Sequence, residues 1–128
     1  MSGTEDVLRR VELGELGDPL TVLAYVAGQE VELTEAELNE ARRRALLLLA
    51  AGGDPRREPG PDDRAVKALA ADLFTEERRL ALGAAIDALA ASARDLPRVR
   101  EAALYLAREP ELAWRLFALG LLAEELAD

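Results

Sequence analysis

The chain has 128 residues, a formal net charge of −9 and neither cysteine nor histidine, and about two residues in five are alanine or leucine. That alphabet excludes a disulfide framework, a thiolate metal site, a cysteine nucleophile and any triad built on an imidazole base. Ala, Leu, Glu and Arg are all good helix formers, and Ile86 is the only isoleucine, so the composition points to an all-α fold.

A chain of this length makes one ordinary domain. Residues 1–128 therefore read as a single compact bundle of five to seven helices, able to bury a core without metal or disulfide staples. The charge is lopsided. Residues 1–40 hold ten acids and two arginines, whereas residues 41–128 are nearly balanced, with fifteen acids and fourteen bases. The acidic third repels phosphate and suits solvent or a basic protein partner. One Asn, one Gln and one Met beside fifteen arginines resemble a thermophile's usage. The single lysine, Lys67, fits a GC-rich codon bias better.

Along the chain, Thr4 followed by Glu5 and Asp6 reads as a helix start, and Gly14 and Gly17 end that helix. Asp18-Pro19 is a second start, with Asp as cap and Pro at the first helical position. Residues 19–27 are apolar on nearly all sides and are expected to be buried. A helix is favoured there, and a short β-hairpin near residues 21–33 is the competing expectation. Thr34 with Glu37 forms a capping box. The helix that follows is expected to reach Ala51, and its second half, with Leu46, Leu47, Leu48 and Leu49, is apolar all round. Such a helix belongs in the middle of a bundle or in an interface.

Three prolines and three glycines make residues 52–63 a loop within the domain. Asp62 or Asp63 caps a helix carrying Val66, Leu69, Ala70, Leu73 and Phe74. Thr75 opens the next, with Leu82, Ile86, Leu89 and Ala93 as its inward stripe. Leu96-Pro97 begins another, with Val99, Ala102, Ala103 and Leu106 inward. Pro110 either kinks that helix or starts a last one over residues 111–126. The helices over 35–51 and 111–126 are expected at the centre of the bundle.

The sequence offers little chemistry. The start, Met1 to Asp6, is acidic and shows neither the basic region nor the apolar run of a signal peptide, and no stretch reaches the roughly 18 apolar residues of a membrane span, so the expected compartment is the cytoplasm. Glu37 and Glu40 form an E-x-x-E pair that could begin a carboxylate Mg²⁺ site of a helical hydrolase acting on a nucleotide or phosphate ester, but no E-x-x-D follows. Arg42, Arg43 and Arg44 suggest a DNA-binding regulator. Three consecutive residues spread over about 200° of a helix, however, and acids lie within a turn, so nucleic acid is the weaker reading. No catalytic or cofactor-binding residue is assigned, and no cofactor is expected. The last helix carries more apolar circumference than one buried face needs. The sequence thus predicts a non-enzymatic interaction domain that forms a homodimer through Trp114, Phe117, Leu121 and Leu122.

Overall fold

The computed structural model describes residues 3–50, 71 and 73–127, and all regular structure among them is helical. Six helices have their bounds among the described residues: α1 (Gly3–Glu12), α2 (Pro19–Gly28), α3 (Glu35–Ala50), α4 (Glu76–Ser92), α5 (Pro97–Arg108) and α6 (Pro110–Ala127). The loop expected at 52–63, the helix start at Asp62 or Asp63, and Lys67 lie outside the described residues.

Local chemistry explains most of the boundaries. At α1 the helix begins at Gly3, so Thr4 sits inside the first turn and is not its cap. The helix stops at Gly14, whose φ of 76° is open to glycine and strained for other residues. There the Glu15 N–H donates to the Arg10 carbonyl at 3.0 Å and the Gly14 N–H to Val11 at 3.1 Å, the pair of bonds of a Schellman motif. At α2 the Asp18 carboxylate accepts from the Leu20 N–H at 3.1 Å and from the Thr21 hydroxyl at 2.9 Å. The helix reading of residues 19–27 holds, with the helix running on to Gly28, and among the described residues there is no strand at 21–33. Val31, just beyond, tucks into the core through a turn closed by its N–H on the Gly28 carbonyl.

The capping box at Thr34 is complete. Glu37 accepts from the Thr34 N–H at 3.0 Å and returns its own N–H to the Thr34 hydroxyl at 3.2 Å. Thr75 caps α4 by accepting from the Arg78 N–H. Pro110 divides residues 97–126 into two helices. It supplies no N–H and pushes Glu109 out of the helical region, to φ −129° and ψ 70°.

α2 and α6 form the centre. α6 packs on α2, α3, α4 and α5, while α2 packs on α1, α4, α5 and α6. Gly28 meets Phe117 and Gly120 meets Tyr25, so the two helices run antiparallel. The expectation that residues 35–51 would be central is corrected: among the described elements α3 packs mainly on α6. Physically, α3 opens with six charged residues among its first ten, which leaves only Ala41, Arg44, Ala45 and Leu48 to bury. α2 has no charged residue and can be surrounded.

Candidate functional site

The four residues expected to meet a partner are core residues of the single chain. Trp114 is 3%, Phe117 1%, Leu121 3% and Leu122 5% exposed. Phe117 meets Trp114 edge-on with centroids 5.6 Å apart, and Phe74 stacks on the other side of Trp114 at 5.2 Å. The apolar circumference of α6 is real, but four helices of its own chain cover it. A surplus on one helix says how many neighbours it has, and not whether they belong to another molecule.

Exposed apolar surface lies elsewhere. On α3, Leu48 turns into the core, whereas Leu46, Leu47 and Leu49 stay 52%, 40% and 50% exposed. With Leu48 and Ala45 held against α6, the helical repeat of 100° per residue turns Leu46 and Leu47 away from it and leaves Leu49 at the edge of that contact, beside Ala45. They form an uncharged cap on the second half of α3, next to the exposed Ala50.

The charged first half of α3 is neutralised internally. Glu40 bonds the Arg43 guanidinium through two oxygens and receives the Arg44 Nε at 3.1 Å. Those arginines hold the Glu40 carboxyl below its ordinary range, the Arg43 bond foremost. The Thr34 backbone N–H, and then Arg78, do the same for Glu37. Arg78 reaches Glu37 at 2.6 Å and the Leu73 carbonyl at 3.1 Å, which ties the start of α4 to the start of α3. Both candidate metal ligands therefore have structural partners. Among the described residues no group of three or more acidic side chains converges on a point.

The arginine run does not present one basic face. Arg43 is exposed and paired, Arg44 is buried at 9%, and Arg42 donates to the Asn39 side chain at 3.2 Å. A tyrosine on α2, Tyr25, donates its hydroxyl to Glu124 on α6. Partial burial and then that carboxylate push its ionisation up to about 12.

One structural residue had no signal in the sequence. Glu12, the last residue of α1, accepts the Arg98 N–H at 2.8 Å and the Val99 N–H at 3.2 Å. It caps α5, whose own N-cap position is Leu96 and offers no side-chain acceptor. A carboxylate placed 86 residues away supplies what the local sequence lacks.

Comparison with protein-family models, with curated proteins and with solved structures found no match. Among the described residues, no helix is long and apolar enough to cross a membrane.

Proposed function

We propose that this protein is a non-enzymatic protein–protein interaction domain that forms a homodimer through the leucine cap of α3. The observation that carries the reading is the half-exposed set Leu46, Leu47 and Leu49, three large apolar side chains within four positions, whereas the other exposed ones among the described residues, Leu13, Leu80, Leu104, Tyr105 and Leu126, stand singly or as one pair. Three adjoining leucines without a charge among them cost free energy in water, at roughly 25 cal/mol per Å² of apolar surface. A second copy removes that cost by a two-fold contact, because a leucine-only surface is complementary to itself. The charged first half of α3, with its Glu40 pairs, then lies at the polar rim, as is usual for an interface. The internal pairing of Glu37 and Glu40 weighs against the hydrolase alternative, and the dispersed, paired arginines weigh against the DNA-binding one. The working compartment in this reading is the cytoplasm, which a cysteine-free chain suits.

Light scattering tests the proposal. The wild-type chain at micromolar concentration is expected at twice its 13.9 kDa. The double variant Leu46→Lys, Leu49→Lys is expected at the monomer mass with an unchanged helical circular-dichroism spectrum. A wild-type monomer, or a double variant that remains dimeric, overturns it.

A further inference from the structure

A second surface, separate from α3, has the shape and charge of a docking site. α1 packs on α2 and α5, and α4 packs on α2, α5 and α6, so a groove of about 720 Å³ opens between α1 and α4. Its floor is Val26 of α2, one wall is Val7 of α1, and the other is the alanine series Ala81, Ala84, Ala85 and Ala88 of α4. α4 thus carries two apolar stripes. Leu82, Ile86 and Leu89 fill the core, while the alanines recur at the i, i+3, i+4, i+7 spacing of a second face, on which Ala81 and Ala85 pack half-buried against the core and Ala84 and Ala88 are exposed. Alanine alone could serve only helix propensity. Here the same stripe faces half-buried valines across an open slot, and that makes it a wall.

Charge selects the occupant. Among the described residues, Glu30 is the only charged one lining the groove. Glu77 stands one helical turn before Ala81, and Asp87 adjoins Ala88, both exposed. None of these three acids makes an ion pair among the described residues.

We propose that this groove docks an amphipathic helix of another protein, with an apolar face directed at the alanines and Lys or Arg along its flanks. Helix-in-groove recognition uses apolar anchors at this spacing. Alanines on the receiving wall let two helix axes approach toward the short end of the usual 8–10 Å range. The acids at the rim attract the basic flanks and repel an acidic segment or a nucleic acid. No lining residue belongs to α3, so the proposal does not depend on the dimer.

The probe is a fluorescein-labelled peptide of about 18 residues made of Leu and Lys, with Leu confined to one helical face. Fluorescence anisotropy with the full chain is expected to show binding that weakens as salt is added. A peptide of the same composition in scrambled order is expected not to bind. Ala84→Trp with Ala88→Trp fills the groove from exposed positions and is expected to weaken binding at least roughly tenfold, a difference of about 1.4 kcal/mol. Glu30→Lys with Glu77→Lys is expected to weaken it and to flatten the salt dependence, with melting curves close to wild type in each case. The dimer-face variant Leu46→Lys, Leu49→Lys is expected to bind the peptide as wild type does. Absence of binding, equal binding of the scrambled peptide, or unchanged binding by the tryptophan variant overturns the proposal. So does a change of molecular mass caused by the tryptophan pair, which would make the groove a contact between copies.

Discussion

Gly28 and Gly120 set the distance between the two central helices. A Cβ built on Gly120 would lie 2.5 Å from the Cβ of Tyr25, and one on Gly28 would overlap the ring of Phe117. The atom that blocks Gly120 is close to the backbone of α2 and cannot swing away. Gly120→Ala gains up to about 1 kcal/mol of helix propensity but forces the helices apart, and overpacking of this kind costs about 1–3 kcal/mol. The variant is therefore expected to melt below wild type, and a melting temperature at or above wild type would refute the close crossing. Glu37 supplies a pH prediction. Its carboxyl is held below the ordinary 4.5 in the folded chain, first by the Thr34 N–H and then by Arg78. A depressed folded value means the stabilisation is complete above the unfolded value and is lost as the pH falls through the folded one. Glu37→Gln keeps the capping-box acceptor and removes the charge. The stability gap between wild type and this variant, measured by denaturant titration, is expected to close as the pH is lowered from about 5 toward 2. A gap independent of pH would mean the ion pair to Arg78 contributes nothing.

At the scale of elements, the helices are held in place by ties between distant segments. α5 begins at Leu96-Pro97 without a local acceptor for its first N–H groups, and Glu12 of α1 provides one. An N-terminal cap contributes about 0.5–2 kcal/mol, and a carboxylate at the positive end of the helix dipole adds to it. Glu12→Ala is expected to destabilise the chain by about that amount. In hydrogen exchange, the Arg98 and Val99 amides should lose protection together with α1. Loss of protection at neither amide would show that the cap is not formed in solution. Most starts were legible in the sequence, because Asp18, Thr34 and Thr75 act on residues two or three positions ahead. The role of Glu12 was not, since its target lies 86 residues on. Thr4 lies inside the first turn and not at the cap, because an acidic first turn marks a helix start more firmly than it marks the capping residue.

For the whole molecule, the decisive feature is which apolar surplus the chain itself consumes. α6 is surrounded, so Phe117→Glu, at a site 1% exposed, is expected to unfold the monomer, as judged by loss of circular-dichroism signal. Lysine at Leu46 and Leu49 is expected to leave the fold intact and alter only association. If Phe117→Glu instead gave a folded monomer, the dimer face would lie on α6 after all. The groove between α1 and α4 leaves a second surface, to which no residue of α3 contributes. The domain would then pair with itself through one face and take a basic helix in the other.

The sequence by itself determined the helical class, the positions of most helix ends and the inward stripes Leu82–Ile86–Leu89 and Val99–Ala103–Leu106. Each follows from propensity, capping and a period of 3.6, which act over a few residues. It also placed two apolar surpluses, at residues 46–49 and 116–123. Only the tertiary structure decided that the second is core and the first surface. Helix periodicity counts apolar faces but does not say which helices will meet them, and that depends on how Gly28 and Gly120 let α2 close onto α6.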